Sequence, residues 1–348
     1  MEKVEFYDGT KILSMKDING KTPSIFMIVS NRTAGKTTWF NRYLVKKFLE
    51  KGEKFMLVYR WKNELNDISV KFFKDIQELF FPNCEMTEKK FCKGNFIELF
   101  INNKSCGYAV SINRADQVKK YSHYFSDVER ILMDEFQSED NRYCPNEITK
   151  FISIKTSVSR GKGKQQRYVP VYMLANPYSM INPYYMELGI SDRLYKNTKF
   201  LRGDGYVFEQ NLNESAAKAM EEDGFMRAFR NNTAYDYTVN GSYIIDDDAF
   251  IEKIHEKNTY RATIKSDGNC YCIRSLDLSG YIYIDDNVNM QFPTKISATE
   301  VDHGEGFVLK YQYKTFIDLL KIRFEYGQIR FKNKRCKTAF FNLIRYTR

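Results

Sequence analysis

One short segment, an apolar run that ends in a Gly-Lys-Thr turn, constrains the fold of this chain more than any other. Residues 24–29 read Ser-Ile-Phe-Met-Ile-Val, which is typical of a strand buried on both faces of a sheet. After a turn, residues 37–45 carry apolar side chains at helical spacing. The order strand, turn, helix predicts an α/β unit in which the helix begins at the carboxyl end of the strand.

The turn has the chemistry of a phosphate-binding loop. Gly35, Lys36 and Thr37 match the second half of the P-loop pattern, and Ser30 stands where that pattern has its first glycine. The backbone N–H groups of such a loop wrap phosphates, the lysine reaches the β- and γ-phosphates, and the hydroxyl ligates Mg²⁺. We therefore expect ATP at a loop that comprises Ser30, Asn31, Arg32, Thr33, Ala34, Gly35, Lys36, Thr37 and Thr38.

A second apolar strand, at residues 129–133, ends in the carboxylates of Asp134 and Glu135. We expect Asp134 to hold Mg²⁺ together with Thr37, and Glu135 to polarise the attacking water as the catalytic base. The competing interpretation is a buried strand that runs into an ordinary acidic turn. A glutamate directly after the magnesium-binding aspartate favours an ATPase that couples hydrolysis to motion.

Two further positions fit the same scheme. A strand at residues 169–174 leads to Asn176, where an amide could sense the γ-phosphate, although an Asn-Pro pair also opens turns. Arg160 lies in a basic, glycine-spaced loop at residues 157–164. Its guanidinium could act catalytically as an arginine finger, and the alternatives are a solvated loop or contacts to nucleic-acid phosphates.

The pattern changes along the 348 residues. Apolar strands alternate with helices over the first 200 or so, residues 211–229 are polar and helical in character, and short alternating strands follow. This predicts an α/β P-loop NTPase domain of the ASCE type at 1–205, with a mostly parallel sheet and helices on both faces. A helical linker at 206–248 and a smaller α+β domain at 249–348 complete the predicted organisation.

The distribution of charge and of cysteines limits the classes of partner and the compartment that fit this sequence. Residues 321–348 carry nine Lys or Arg and one acidic residue, so they hold most of the net charge of +10. The pattern favours a surface for a polyanion, the alternative being a solvated basic face. The apolar runs are far shorter than the ~20 residues that cross a bilayer. The seven cysteines and three histidines show no zinc-site spacing, and we expect a soluble intracellular protein.

These residues together resemble the genome-packaging motor ATPases of phi29-like tailed bacteriophages, relatives of the terminases. The resemblance runs in order along nearly the whole chain, beginning with the P-loop and its internal Arg32. It includes Tyr-Arg-Trp-Lys-Asn-Glu-Leu at 59–65 and shorter matches at 107–109, 133–136, 145–147, 158–160, 174–176, 182–184, 250–253 and 283–285.

The resemblance implies an ATP- and Mg²⁺-dependent ring motor, pentameric in such phages, that drives double-stranded DNA through the portal vertex into a preformed capsid shell. A structural packaging RNA is a further possible partner. Arg60 and Lys62 would be lid residues near the nucleotide, and Arg160 and Lys120 would act on a neighbouring subunit. The protein would work in the host cytoplasm, transiently at the portal vertex, and be absent from the mature virion.

For the C-terminal domain the resemblance implies an RNase H-like vestigial nuclease that serves as a nucleic-acid or portal platform. Asp285, Asp286, Asp302 and Glu305 could be remnants of metal-binding carboxylates, or ordinary acidic turns. The alternative functions are another ASCE nucleic-acid-dependent ATPase, of helicase or partitioning type, a terminase-type nuclease, and a nucleic-acid-binding protein without hydrolysis.

Overall fold

The computed structural model describes residues 6–139, 142–180, 182–191, 193–194, 198–232, 235, 238–239, 241, 250–304 and 306–344. The chain divides into two compact units, one from residues 1–184 and 195–245, the other from 185–194 and 246–348. Glu305, one of the possible remnants of metal-binding carboxylates, lies outside the described residues.

In the first unit the described residues form a nine-stranded sheet with the order β3-β4-β5-β2-β6-β7-β1-β9-β8. The six strands from β5 to β9 in this order are parallel, and β3, β4 and β8 pair antiparallel at the two edges. The strands are β1 (Ile25–Ser30), β2 (Lys54–Tyr59), β3 (Met86–Phe91), β4 (Phe96–Ile101), β5 (Lys104–Ser111), β6 (Val128–Met133), β7 (Val171–Ala175), β8 (Phe200–Gly203) and β9 (Tyr206–Asn211).

The helices alternate with these strands, as the sequence predicts. They are α1 (Thr10–Ser14), α2 (Lys36–Lys51), α3 (Ile68–Phe80), α4 (Ala115–Lys120), α5 (Glu147–Val158), α6 (Pro183–Glu187), α7 (Glu214–Glu222) and α8 (Gly224–Ala228). Helix α2 buries Phe40, Leu44 and Val45 against the sheet, and it ends at Gly52, whose left-handed φ of 68° lets its N–H bond the carbonyl of Phe48.

Both faces of the parallel sheet are covered. One face contributes Phe26, Ile28 and Leu57 to a core that α2 and α3 complete. The alternate residues Met27 and Met56, which point to the other face, are fully buried too. A sheet with two buried faces and parallel inner strands confirms the predicted α/β P-loop fold class.

The predicted boundary between residues 205 and 206 falls inside the β8–β9 hairpin. Strand β9 pairs in parallel with β1 from Ile25↔Tyr206 to Ser30↔Asn211, so the sheet continues into the segment predicted as linker. The segment at 211–229, which the sequence predicts to be helical, forms the two helices α7 and α8. Asp223 ends the first and caps the second by accepting a hydrogen bond from the Met226 N–H at 2.9 Å.

The second unit is α+β, as expected. Its described strands order as β14-β13-β10-β11-β12-β15, an antiparallel three-stranded meander with parallel strands added on both sides. The elements are β10 (Asn258–Ser266), β11 (Asn269–Leu276), β12 (Ile282–Asp285), β13 (Lys295–Ser297), β14 (Val308–Leu309), α9 (Lys314–Glu325), β15 (Ile329–Phe331) and α10 (Lys334–Ile344).

The basic C-terminal segment is folded over its described residues, 321–344, because its apolar residues face a core. Cys336, Phe340 and Leu343 of α10 are buried with Phe331 of β15. Strand β14 is very short, since only Val308–Leu309 pairs with β13 before a 3₁₀ turn begins. No helix within the described ranges combines the length and apolar character that a membrane crossing needs.

Candidate nucleotide site

The loop between β1 and α2 has the geometry of an anion-binding turn. Thr33 and Gly35 take left-handed φ values of 62° and 88°, and α2 begins directly afterwards at Lys36. Ser30 is still part of β1, where it pairs with Asn211, so its backbone is extended and the position does not require glycine. The loop therefore turns its N–H groups and the positive end of a 16-residue helix toward the carboxyl edge of the sheet.

Lys36 lies buried at the centre of this edge. Its Nζ donates to Asn176 Oδ1 at 2.5 Å and lies 3.5 Å from the carbonyl oxygen of Ser30. Burial lowers the pKa of Lys36 to about 8, although Asp134 and Glu135 act in the opposite direction. Lys36 is thus a desolvated cation held at the end of β7, where Asn176 follows the strand.

Asp134 and Glu135 follow β6, the strand next to β7. Burial raises the pKa of Asp134, while Lys36 and a hydrogen bond from the Thr37 side chain oppose this rise. Glu135 has a left-handed φ of 57° and its N–H donates to Asp134 Oδ1 at 3.0 Å. Burial, and then Asp134 and Glu139, raise the pKa of Glu135. The structure thus brings together Lys36, Thr37, Asp134, Glu135 and Asn176.

A cavity of about 270 Å³ adjoins this group at the carboxyl ends of β2 and β6. Thr37, Asp134 and Glu135 line it, as the sequence predicts. Sequence reasoning missed Asn41, Glu64 and Lys71, which line it as well. Asn41 follows Thr37 by four residues on α2, so helical spacing could have found it. For Lys71 on α3 the sequence gives no local signal.

The remaining loop residues are held by partners from elsewhere in the first unit. Arg32 forms an ion pair with Glu139 and contacts the Tyr178 hydroxyl. Asn31 is fully buried, accepts from the Asn213 N–H at 2.9 Å and donates to the Asn213 carbonyl at 3.2 Å. Ala34 accepts from the Tyr7 N–H, and Thr38 lies half-buried in the first turn of α2.

The two expected lid residues lie apart from each other, since Arg60 lines the same cavity as Thr37 and Glu135 and Lys62 does not. Arg60 is buried and its Nε lies 3.0 Å from Glu147 Oε2. Lys62 donates from Nζ to the carbonyl of Lys93 at 3.1 Å and lines a different cavity, with Lys90 and Lys93. The structure therefore does not bring Lys62 to the group around Lys36.

Comparison with known proteins identifies the family. The model of the podovirus DNA encapsidation protein (Gp16) family matches residues 1–348, the whole chain. The chain belongs to this family. The prediction of a genome-packaging protein of the phi29-like kind is thereby confirmed.

Individual relatives are similar in sequence to this chain over nearly their whole length. The DNA packaging protein of Bacillus phage phi29 is 25% identical over 352 residues, covering 100% of this chain and 99% of the relative. That of Bacillus phage B103 is 24% identical over 327 residues, covering 92% and 96%. A solved chain of the bacteriophage phi29 viral genome packaging motor assembly superposes with a TM-score of 0.65 at 24% identity, covering 98% of this chain and 100% of that one, which shows a shared fold.

Arg160 of this encapsidation protein lies at the other end of β6 from Glu135. It is exposed, and the adjoining Gly161, with φ 111°, packs so closely on Ser126 that a Cβ there would lie 2.9 Å from the serine Cβ. Since β6 spans six residues, at about 3.3 Å each, roughly 20 Å separates its two ends. Arg160 therefore cannot reach the γ-phosphate position of its own subunit.

Lys120, which the resemblance also assigns to a neighbouring subunit, and Arg167 are two further basic residues of the first unit. Lys120 is exposed at the end of α4 and stays a candidate. Arg167 is buried, and its Nη2 donates to the carbonyl oxygens of Val128 and Val158 at 3.0 and 2.9 Å. These bonds fix Arg167 inside the domain, so it is not available to a neighbouring subunit.

The three described carboxylates that the sequence analysis named in the C-terminal unit each bond to a different partner. Asp285 accepts from Arg274 Nε at 2.9 Å, Asp286 pairs with Lys332, and Asp302 accepts from the N–H groups of the turn at Asp267 and Gly268. In the described part of the chain no three His, Cys, Asp or Glu side chains are grouped so that they could hold a metal ion. The RNase H-like description of this unit stays a prediction.

Proposed function

We propose that this chain is an ATP-driven translocase that packages double-stranded viral DNA into a preformed capsid through the portal vertex. One observation carries the proposal: Lys36, Asp134 with Glu135, and Asn176 follow three adjacent parallel strands and converge at one edge of the sheet. Membership of a DNA encapsidation family along the full chain supports it.

Each of the converging residues has a separate role in the proposed hydrolysis of ATP. Lys36 and the loop N–H groups bind the phosphates, and Glu135 accepts the proton of the attacking water. Asn176, which accepts a hydrogen bond from Lys36, would contact the γ-phosphate. Thr37 and Asp134 are hydrogen-bonded oxygen ligands of the hard type that Mg²⁺ takes alongside substrate phosphates. When bound there, Mg²⁺ neutralises charge that develops on the phosphates.

The proposed assembly is a homo-oligomeric ring, a pentamer, on the portal and capsid shell, with a structural packaging RNA as a further partner. Arg160 supports the ring because its exposed position cannot serve its own site. The excess of Lys and Arg over residues 321–348 supports a polyanion at the C-terminal unit. We propose the host cytoplasm as the place of action. We also propose a motor domain that extends beyond residue 205 to include strand β9, a connector that follows it up to residue 248, and a platform at 249–348.

A DNA-protection assay tests the function directly. Purified protein, empty portal-bearing shells and full-length DNA are incubated with ATP, and the DNA is then exposed to nuclease. We expect full-length DNA to survive only when ATP and shells are both present. Survival without ATP hydrolysis, or plasmid cutting by the protein alone with Mg²⁺, would contradict the proposal.

Removing the loop cation should weaken nucleotide binding. Lys36→Ala should lose about 10–150-fold in ATP affinity, as expected for hydrogen bonds to a charged group, measured by calorimetry. Because burial holds the pKa of Lys36 at about 8, wild-type affinity should fall as the pH rises through that value and the ammonium loses its proton. Lys36→Ala should lack this pH dependence, and unchanged affinity would remove the P-loop assignment.

DNA binding should be steeply salt-dependent and nearly blind to sequence. A translocase grips every base pair that it passes, so its contacts are with phosphates, and each neutralised phosphate contributes a slope of about −0.9 in log affinity against log salt. Fluorescence anisotropy with two duplexes of unrelated sequence, from low to physiological salt, measures both properties. A salt-insensitive complex that prefers one duplex would argue against a motor.

A further inference from the structure

The backbone of the turn that carries Glu135 accepts hydrogen bonds from a buried arginine. The left-handed conformation of Glu135 costs free energy because the residue is not glycine. It therefore persists only where surrounding groups hold the backbone in place. Arg60 directly follows β2, the neighbour of β6 in the sheet. Its Nη1 donates to the carbonyl oxygen of Glu135 at 3.3 Å and its Nη2 to that of Phe136 at 2.7 Å. The guanidinium thus bonds the backbone of the turn itself.

Arg60 is in turn held by Glu147, the first residue of α5. The Arg60 Nε lies 3.1 and 3.0 Å from the two carboxylate oxygens, and the two side chains are only 7% and 1% exposed. Burial lowers the pKa of Arg60, but the charge of Glu147, its hydrogen bond and the neighbouring tyrosines together raise the pKa above its ordinary value. The two side chains form a buried ion pair, so removing either partner would leave the other uncompensated.

Glu147 has further partners that fix its carboxylate. The Tyr184 hydroxyl donates to Oε1 at 2.8 Å and the Cys144 N–H donates to Oε2 at 2.8 Å. Each carboxylate oxygen thus accepts from Arg60 and from one other group. Among the described residues that line the site cavity, Glu135 is present and Glu147 is not. Glu147 is therefore placed to orient the turn and not to activate water.

We propose that Glu147, with the help of Tyr184, is a positioning residue for the catalytic base. It fixes Arg60, Arg60 fixes the turn after β6, and the turn presents Glu135 to the cavity. The inference rests on the proposed role of Glu135 in ATP hydrolysis. It gives Arg60 a partner in the backbone of its own subunit, where the family resemblance alone implies a lid residue.

A double-mutant cycle in the assembled motor, with shells, DNA and ATP, tests this role. Glu147→Gln should lower kcat by about 10²-fold, the effect of a small misplacement of a reacting group, while the affinity for a fluorescent ATP analogue stays unchanged. In a Glu135→Gln background the same substitution should cause no further loss in kcat, because no base remains to be positioned. A merely structural role would add its loss in both backgrounds.

The chain offers a matched control for the buried pair. Glu53 accepts from Arg130 Nε at 2.9 Å, and Arg130 Nη1 donates to the Tyr172 hydroxyl at 2.9 Å, so the same three residue types meet just before β2 begins. Glu53→Gln should leave kcat unchanged. Tyr184→Phe removes one hydroxyl from Glu147, should lower kcat about 2–10-fold, and carries the test if Glu147→Gln does not fold.

The outcomes separate this inference from the function on which it rests. Normal kcat in both Glu147→Gln and Tyr184→Phe overturns the positioning role alone, and so does an undiminished further loss from Glu147→Gln in the Glu135→Gln background. Normal turnover in Glu135→Gln by itself overturns the assignment of the base and the positioning role together.

Discussion

Replacing Arg160 by alanine should leave ATP binding intact and lower ATP turnover in the assembled ring by about 10³–10⁵-fold, the usual contribution of an arginine finger. The reason is geometric. Arg160 lies at the amino end of β6, about 20 Å along the strand from Glu135, so a finger role for its exposed guanidinium requires the site of another subunit. Steady-state turnover and nucleotide affinity, measured on the same preparation, separate the two effects.

Mixed rings make the prediction sharper. Arg160→Ala subunits keep Glu135, and Glu135→Gln subunits keep Arg160, so some interfaces in a mixed ring combine both intact residues. A mixture should therefore recover part of the activity that each variant alone has lost. Arg160→Lys should not restore turnover, because a point charge on a flexible stem does not reproduce the planar guanidinium.

Lys164 supplies the matched control for Arg160, since it is an exposed basic residue of the same loop. Lys164→Ala should hydrolyse ATP at the wild-type rate. If Arg160→Ala rings instead hydrolyse ATP normally and only release DNA prematurely, Arg160 contacts DNA. The finger would then be sought at Lys120, which is exposed, and not at Arg167, which is bonded to two backbone carbonyls.

The sequence predicts those parts of the site that depend on local order. A continuous apolar strand must lie inside a covered sheet, and the parallel arrangement sends its carboxyl end to the same edge as its neighbours. Asp134 and Asn176 directly follow such strands, and Lys36 begins the helix after the loop that follows another. Their convergence could therefore be predicted from the sequence. Ser30 looked like a departure from the pattern, but at an extended strand position the missing glycine has no cost.

The rest depends on contacts that no local pattern encodes. Glu147 pairs with Arg60 across 87 positions of the chain, and only the tertiary fold brings the first residue of α5 to the residue that follows β2. The same holds for Glu64 and Lys71 at the cavity. In the second unit the edge strands β13, β14 and β15 are only two or three residues long and are defined by their parallel partners, so their limits could not be predicted from alternation.

Glu135→Gln should bind ATP normally and turn it over about 10²–10⁴-fold more slowly, the usual contribution of a positioned general base. Glutamine keeps the shape of the side chain and leaves Thr37 and Asp134 untouched, but it cannot accept the proton. Burial and Asp134 raise the pKa of Glu135, so wild-type turnover should fall as the pH drops through that raised value and the base becomes protonated. The residual turnover of the variant should not show this decrease at low pH.

Two further carboxylates decide what a failure of this prediction would mean. Glu221, exposed on α7, provides the neutral control, and Glu221→Gln should match the wild type. Glu139 is exposed, pairs with Arg32 of the loop and helps to raise the pKa of Glu135. If Glu135→Gln rings hydrolyse ATP at a near-normal rate while Glu139→Gln rings do not, the base is Glu139. The left-handed turn after β6 would then serve to orient Asp134, whose Oδ1 accepts the Glu135 N–H.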